Sequence, residues 1–437
     1  MLGPFVWAVA CAPASHTGGS SATGGNAGTG GSSTAGGGGA RASGGAPATG
    51  GALGSGGASG GTGVAGSAGS GAGGRAGIGG AAGAPAAGGR SGAGGAASGG
   101  AAAAGTSGSG GGAPAGPDPC KPLGWATRTG RSGSTFTVTG GGNVTPNVVK
   151  TFAELQQYAS DGQARVIHID GTLGAGWSGT SGDRLEIKSN KTIVGLRAGT
   201  RLNAAVHING ASNVILRNIV IRGPGSNEDQ AWDNLNIEGD SKNVWVDHCE
   251  FWDGQDGNVD VVKGADTVTF TWCIFGYALP GHPHNLSNLI ASSDNEPVSE
   301  GKLDITFMFN WWNGAMERQP RCRYGYIHVV NNFYTSNPAV GASKLGVTNG
   351  FSCNVRTENN HFVGQNDPID LGKQAGAGSV QEEIGNEFES CTGNQKGSGT
   401  AFTPPYEYKS FMVPASAVKA LVQKNAGATL ASPPACP

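Results

Sequence analysis

A short unit that recurs along the second half of the chain is the feature that most constrains its fold. Each copy holds a strand-like run, a small or polar residue, a second strand-like run and then a glycine or polar turn. The copies begin at Asn213, Asn243, Thr267, Leu303, Tyr326, Asn354 and Glu382. Because the unit stays constant while its spacing varies from about 22 to about 37 residues, the pattern predicts a solenoid with insertions between strands.

Two columns of the aligned copies indicate the type of solenoid. One column holds Asn310, Asn332, Asn360 and Asn386, preceded in earlier copies by Ile219, Cys249 and Cys273. Two positions later stand the aromatic residues Phe251, Phe275, Trp312, Tyr334, Phe362 and Phe388. Asparagine also marks ordinary turns, but four in register, each followed by an aromatic, favour a ladder of stacked amides. We therefore predict an all-β fold, a right-handed parallel β-helix, in which Cys249 and Cys273 form a disulfide or a buried pair.

Composition divides the chain into three parts. Residues 12–117 are almost entirely glycine, alanine, serine and threonine, and the whole chain holds 82 glycines. Such a segment has too little apolar side chain to offset its ordering entropy, so we predict a flexible linker. It joins residues 1–11, a signal or lipobox segment, to one large β-helix domain over residues 118–437.

The first residues and the cysteines predict export. Ala8, Val9 and Ala10 precede Cys11 as in a bacterial lipoprotein box, so Cys11 is a candidate for lipidation and a membrane tether. We expect a secreted or cell-surface protein, where Cys120 and Cys436 would join the ends of the domain. A net charge of −2 with no basic stripe argues against nucleic acid. Nothing in the sequence indicates an oligomer, and we expect a monomer.

Three carboxylates form a candidate metal site. Asp256 and Asp260 lie in DGQDGNVDVVKG, and Asp233 lies in QAWDNLNIEG one coil earlier. Stacked coils lie about 4.8 Å apart, so these side chains would converge. Oxygen ligands on loops suit Ca²⁺. The alternative is that each aspartate caps backbone in a glycine-rich turn.

Three arginines form a second candidate site in the stretch ERQPRCRYG. Arg318, Arg321 and Arg323 lie within six residues, with Pro320 between them. Arginine is rarely buried without a partner. The cluster is either surface charge, a site for a phosphate-like anion, or part of a groove for an anionic polymer whose carboxylates bind arginine and metal together.

Three segments resemble the pectate lyase and pectin lyase family. They are NVWVDHCEFWDG, DGNVDVVKGADTVTFTWCIF and RQPRCRYGYIHVVNNFY, in the family's order. The resemblance implies a β-helix that cleaves polygalacturonate by calcium-assisted β-elimination, leaving a 4,5-unsaturated end. It makes Arg318 the catalytic base and Arg323 the partner of a substrate carboxylate, and it places Asp233, Asp256 and Asp260 at calcium-ligand positions. Free arginine has a pKa above about 12, so this role requires an alkaline optimum or a lowered pKa.

The chain departs from the family pattern in HPHNLSNLIASSD. His284 keeps the family's histidine, but Leu286 stands where a substrate-binding lysine is expected, and the next lysine along the chain is Lys302. We expect His284, Arg321 and Pro320 to contact substrate with Arg323. Loss of a cation leaves open a pectin lyase acting on methyl-esterified chains and a non-catalytic polysaccharide-binding β-helix. A hydrolase on this fold would need a free acid–base pair of carboxylates.

Overall fold

The computed structural model describes residues 120–174, 176, 184–226 and 232–432. The predicted segments 1–11 and 12–117 lie outside these ranges, as do Cys11 and Cys436. Within them no helix is both long and apolar enough to span a membrane.

The described chain winds into a parallel β-helix of three sheets, which confirms the predicted fold. Eight complete coils each contribute one strand to each sheet, incomplete coils at the two ends add the remaining strands, and all pairs between named strands are parallel. The ten-stranded sheet comprises Asn147–Val149, Arg165–Ile169, Lys191–Gly195, Ser212–Arg217, Lys242–Asp247, Asp266–Thr271, Ile305–Met308, Tyr326–Val330, Asn354–Glu358 and Val380–Ile384. The eight-stranded sheet comprises Arg184–Ile187, Ala205–Asn209, Leu235–Glu238, Val259–Val261, Asn288–Ile290, Arg321–Cys322, Val347–Asn349 and Ile369–Asp370. The nine-stranded sheet comprises Thr172–Leu173, Arg201–Leu202, Val220–Arg222, Glu250–Trp252, Ile274–Gly276, Trp311–Asn313, Phe333–Thr335, His361–Val363 and Glu387–Glu389.

Two α-helices flank the coils. Phe152–Ser160 begins with a capping box, in which the Thr151 hydroxyl accepts from the Glu154 amide and the Glu154 carboxylate accepts from the Thr151 amide. It packs on the first strands and buries Leu155. Ala415–Asn425 packs against the nine-stranded sheet. Short 3₁₀ turns occupy Gly124–Thr127 and Pro297–Ser299.

The asparagine ladder forms as predicted. Asn310 Nδ2 donates to Asn332 Oδ1 at 3.0 Å, and Asn332 Nδ2 donates to Asn360 Oδ1 at 3.0 Å. Asn360 Nδ2 continues to Asn386 Oδ1 at 2.8 Å. Each amide oxygen also accepts the backbone N–H one coil above, so these buried bends leave no amide unpaired.

The predicted aromatic column also forms. Phe251 stacks on Phe275, and Trp312 stacks on Tyr334 with ring centroids 4.8 Å apart. Tyr334 stacks on Phe362, and Phe362 stacks on Phe388. These rings fill the interior beside the ladder, which orders the core by repeated contacts of one kind.

The cysteines differ from expectation in one respect. Cys249 and Cys273 are buried free thiols, the second of the two predicted alternatives. Among the described residues a disulfide joins Cys322 to Cys353, across 31 residues, and Cys120 is also disulfide-bonded. The Cys322–Cys353 pair links adjacent coils from within the arginine cluster, and sequence spacing gave no sign of it.

Two chain segments cover the outer face of the ten-stranded sheet. The Trp125 and Ala126 amides donate to Thr306 Oγ1 and Thr269 Oγ1, each at 3.0 Å. Tyr406 of the C-terminal segment reaches His328 at 2.8 Å. A cavity of about 440 Å³ lies between these segments, among apolar side chains that include Leu123, Phe136 and Phe411. The predicted site residues lie on or beside the eight-stranded sheet instead.

Candidate active site

One row of side-chain positions runs across the eight-stranded sheet through both predicted sites. In successive strands the register aligns Asn236 with Asp260, Asp260 with Leu289, Leu289 with Arg321, and Arg321 with Thr348. We call these five residues the outer row. Since neighbouring strands lie about 4.8 Å apart, the fold places the carboxylate of Asp260 two strands from the guanidinium of Arg321.

Arg318 lies between the carboxylates and the other arginines. Its positive charge opposes the rise in pKa that burial causes at Asp233 and Asp260, and it adds to burial and the charge of Arg323 in lowering the pKa of Arg321, so its guanidinium is near all three groups. Its backbone is left-handed, with φ of 59°, a conformation that costs a non-glycine residue about 1 to 3 kcal/mol. The Nε of Arg318 is buried and donates no hydrogen bond within the described chain. A strained backbone and an unpartnered donor are features of functional positions.

The turn after Arg318 is fixed by backbone contacts to the next coil. The Gln319 amide donates to the Gly346 carbonyl, and the Pro320 carbonyl accepts from the Thr348 amide at 2.9 Å. The Gln319–Pro320 peptide bond is cis, and Pro320 is buried. Pro320 therefore shapes the turn between Arg318 and Arg321.

The other two arginines have different surroundings. Arg323 is buried, and its Nε donates to Asp294 Oδ1 at 2.6 Å while Nη1 donates to the Ala291 carbonyl at 2.7 Å. Arg321 is half-buried, and its Nε has no acceptor within the described chain. Burial, then the charges of Arg323 and Arg318, lower the pKa of Arg321. The cluster thus holds one guanidinium, that of Arg323, in a short ion pair, while the Nε donors of Arg318 and Arg321 have no acceptor within the described chain.

The structure brings the predicted metal carboxylates together. Asp233 and Asp260 are buried, and in each Oδ1 has no hydrogen-bond partner among the described residues. Burial raises the pKa of Asp260 to about 7, with Arg318 opposing and Asp256 adding to the rise. Burial, followed by repulsion from Asp260 and Asp256, raises the pKa of Asp233 well above its ordinary value. Gly257 permits this approach, because a Cβ there would lie 2.8 Å from Asp233 Oδ1.

These features fit a bound cation, although the side chains do not form a complete coordination shell. Two buried carboxylates with unpartnered oxygens repel each other, and a divalent ion would relieve both the repulsion and the missing contacts. Within the described ranges no three Asp, Glu, His or Cys side chains are already grouped closely enough to bind a metal. Asp256 is more exposed, and it bonds His284 Nε2 at 3.1 Å. His284 is therefore held against a predicted metal ligand.

A lysine from a later coil lies near the bridge partner of Leu286, the residue that stands where a substrate-binding lysine was expected. Leu286 pairs with Glu317 in a parallel bridge, and Lys302 is paired with Asp240. Lys344, on the next coil, donates its amide to the Met316 carbonyl and places Nζ 4.0 Å from Glu317 Oε1. Its side chain is 59% exposed. Lys344 therefore lies near Glu317, the bridge partner of Leu286, although Lys302 is the next lysine along the chain.

Sequence reasoning also missed Asp294. Asp294 lies in SSDNEP, a few residues after the strand Asn288–Ile290 of the eight-stranded sheet, and no spacing rule connects it to Arg323. The available signal was indirect, since a buried arginine requires an acceptor. Which acceptor it would be depended on how the loop after Ile290 folds back.

Together the site offers buried carboxylates for a cation at one end and guanidinium groups for anions at the other, with Arg318 between. Such an arrangement can bind a chain that carries several carboxylates. It can also stabilise negative charge that develops next to a bound carboxylate.

Comparisons with known proteins indicate the family of the chain. A family model described as pectate lyase matches residues 117–430. The pectate trisaccharide-lyase of Bacillus licheniformis is 31% identical over 316 residues, covering 70% of this chain and 84% of the relative. The pectate trisaccharide-lyase of Thermotoga maritima is 34% identical over 233 residues, covering 51% of this chain and 59% of the relative, so the match spans about three-fifths of that protein. Pectate lyase E of Dickeya chrysanthemi is 30% identical over 360 residues, covering 70% of this chain and 89% of the relative.

Solved structures share the fold. A Bacillus pectate lyase in complex with trigalacturonate superposes with a TM-score of 0.56 at 24% identity, covering 70% of this chain and 98% of that one. Pectate lyase II of Xanthomonas campestris gives a TM-score of 0.54 at 22% identity, with the same coverage. At these identities the structural likeness supports the architecture, while the family model and the sequence relatives carry the assignment. The chain therefore belongs to the pectate lyase family.

Proposed function

We propose that the protein is a pectate lyase that cleaves α-1,4-linked polygalacturonate by β-elimination, giving 4,5-unsaturated oligogalacturonides. The observation that carries the proposal is the position of Arg318, near both Asp233 and Asp260 on one side and near Arg321 on the other. A polyuronate is the kind of ligand that would satisfy a metal-binding carboxylate pair and a guanidinium cluster at once.

The chemistry requires removal of the C5 proton, which is α to the carboxyl carbon. Arg318 in its neutral form accepts that proton, the C5–H electron pair forms the C4–C5 double bond, and the C4–O4 bond breaks as O4 takes a proton from the solvent. No water is consumed. Guanidinium groups that bind the C6 carboxylate stabilise the enolate-like charge of the transition state. The unpartnered Nε of Arg318 keeps its guanidinium free of intramolecular acceptors at that atom.

Calcium is the cation we propose for the carboxylate pair. Asp233 and Asp260 would hold it, and Asp256 is the third candidate ligand. When bound it would neutralise the carboxylates of enzyme and substrate together, which makes the C5 proton more acidic. Their unpartnered buried oxygens support this assignment.

Two further parts of the proposal concern the environment of the enzyme. Its substrate is an extracellular polymer, so we propose export, with Cys11 as the residue that would carry a lipid anchor. We also propose that the enzyme acts as a monomer, because the site as described uses residues of one chain.

The test is the absorbance of unsaturated uronides, measured on polygalacturonate and on highly methylated pectin at alkaline pH, with calcium and then with chelator. We expect a calcium-dependent rise on polygalacturonate. A rise on methylated pectin alone, indifferent to chelator, would support a pectin lyase. The apolar Leu286, which replaces a cation, would suit the neutral substrate of such an enzyme. No rise on either, with the protein folded, would leave a polysaccharide-binding β-helix. Chromatography of the products shows whether trimers predominate, as the names of two relatives suggest.

A further inference from the structure

Asn236 is the outer-row residue that stands beside the predicted metal carboxylates. It is paired in register with Asp260 on the neighbouring strand. Because side chains alternate across a strand, Asn236 and Asp260 emerge next to each other on the outer face of the sheet, about 4.8 Å apart, the spacing of neighbouring strands. The residues on either side of each are buried in the core, namely Leu235, Ile237, Val259 and Val261.

The amide group of Asn236 contacts Asp233 but is only partly used. Burial, with repulsion from Asp260 and Asp256, raises the pKa of Asp233, and a hydrogen bond from the Asn236 side chain opposes that rise. The two side chains are therefore in contact. The Oδ1 atom of Asn236 is buried and accepts no hydrogen bond from any described residue. A buried amide oxygen without a partner is unfavourable for the folded state.

Three buried oxygens without a partner thus occur together in this part of the sheet. They are the Oδ1 atoms of Asp233, Asn236 and Asp260. The two aspartates are only 6% and 8% exposed, so water reaches them poorly. Ca²⁺ binds about six to eight oxygens, and it accepts the amide oxygen of asparagine as readily as a carboxylate. One cation would satisfy all three atoms at once.

Asp256, the third predicted ligand, is less available than Asn236. Its Oδ1 bonds His284 Nε2 at 3.1 Å, and its side chain is 39% exposed. Asn236 lies on a strand whose register is fixed on both sides, by His207 and by Asp260. A ligand on such an element is held more precisely than one on a loop.

From this geometry we infer that Asn236 is a ligand of the cation, and that its Oδ1 binds together with the carboxylates of Asp233 and Asp260. The resemblance seen in the sequence placed only aspartates at ligand positions, so Asn236 lies outside that set. The inference rests on the proposed function for the identity of the cation, Ca²⁺. It makes the site partly neutral, and the number of charged ligands is one of the properties that set calcium affinity.

The test is calcium binding by the folded full-length chain without polysaccharide, measured by titration calorimetry and by the rise in melting temperature. Asn236→Leu removes the oxygen and keeps the approximate volume, so calcium affinity should fall about tenfold or more and the rise in melting temperature should shrink. Asn236→Asp adds a charged oxygen and should bind calcium about tenfold more tightly. In chelator it should melt below wild type, because three neighbouring carboxylates then repel one another.

Asn209→Leu is the matched control. Asn209 lies on the same sheet, one coil earlier, and is exposed, with its Nδ2 donating to Glu238 Oε1 at 3.1 Å. Its replacement should leave calcium affinity unchanged. Crystals grown with calcium chloride give the direct measurement, in which the distance from Asn236 Oδ1 to the cation should be about 2.3 to 2.6 Å.

Weaker binding in Asn236→Leu together with tighter binding in Asn236→Asp supports the inference. Equal weakening in both variants overturns it, because Asn236 would then act only as a hydrogen-bond donor to Asp233. It is also overturned if the bound cation lies outside coordination distance of Asn236 Oδ1, or if the folded wild type binds no calcium. Uronide absorbance is measured separately. A chain that binds calcium through Asn236 and cleaves nothing would refute the proposed lyase alone, and a chelator-indifferent lyase without bound calcium would refute this inference alone.

Discussion

The outer faces of the ten-stranded and eight-stranded sheets handle buried charge in opposite ways. On the ten-stranded face, His328 bonds Tyr406 and Glu358, and Glu358 also pairs with Arg356. These side chains are partners of one another, and two chain segments cover the surface. On the eight-stranded face, Asp233, Asp260 and Arg321 keep buried polar atoms with no partner in the described chain. The first arrangement stabilises the fold, and the second leaves contacts for a ligand to complete.

The largest change should follow from removing Arg318. Arg318→Ala deletes the proposed base, and we expect kcat to fall about 10²- to 10⁴-fold on polygalacturonate. The melting temperature should stay within a few degrees of wild type, since the guanidinium Nε has no internal acceptor. Uronide absorbance and calorimetry measure the two quantities. Near wild-type turnover in a correctly folded variant would remove Arg318 from the mechanism.

Removing a carboxylate should change the response to calcium. Asp260→Asn should raise the calcium concentration for half-maximal activity about tenfold or more, because one charged ligand is lost. Asp266→Asn is the matched control, a carboxylate whose pKa is likewise raised by burial but which lies on the ten-stranded sheet. Equal calcium curves for the wild type and Asp260→Asn would contradict the assignment.

On the covered face the expected loss is in stability. Burial by itself would raise the pKa of Glu358, but hydrogen bonds from His328 and Arg356 lower it to about 2. Its stabilisation is therefore complete above the unfolded-state pKa of about 4.3 and is lost as the pH falls toward 2. Glu358→Gln breaks a buried ion pair and should reduce the free energy of unfolding by about 3 kcal/mol at neutral pH. Urea denaturation measures this loss, and a variant as stable as wild type would show that the network is dispensable.

Asp304 gives a pH dependence of opposite sign on the same face. Burial, with repulsion from Asp266, raises its pKa to about 7, against the attraction of Arg131. A group with a raised pKa stabilises the fold at low pH, and this contribution declines as the pH rises through about 7. Asp304→Asn should flatten the fall in melting temperature between about pH 4, near the unfolded-state pKa, and about pH 7. Identical slopes in wild type and variant would contradict the shift.

The smallest effect should come from Lys344. Its ammonium is exposed and 4.0 Å from Glu317, so Lys344→Ala should raise KM by no more than about fivefold. Lys302→Ala, another exposed lysine paired with an aspartate, is the control and should leave KM unchanged. A larger rise in KM would make Lys344 a principal substrate contact.

The repeat made the fold predictable, because equivalent core positions recur in every coil of a solenoid and align as columns in the sequence. Asn310, Asn332, Asn360 and Asn386 could be aligned by eye, and the ladder followed from their register. The site was predictable where its residues lie close along the chain, as Arg318, Arg321 and Arg323 do. Asp294 and Lys344 were not predictable, since each reaches the arginine cluster through a loop of variable length. The Cys322–Cys353 disulfide could not be predicted for the same reason.

The assignment of partners within the cluster also required the structure. Sequence placed Arg323 opposite the substrate and treated Arg321 as an additional contact. Only the path of the loop after Ile290 shows that Asp294 neutralises Arg323. Charge alone could be counted from the sequence, but the distribution of counterions depends on contacts between coils.

The outer row has a consequence for how such a site can change over evolutionary time. Each of its five positions is encoded by a separate coil, and turns of variable length separate the coils. A substitution at one position alters the charge at one point along a bound polymer without disturbing the neighbouring points. Leu289 and Arg321 illustrate this, with an apolar residue on one coil and a cation on the next. Selection can therefore change the recognition of a polymer one sugar at a time, while the number of coils that contact it stays the same.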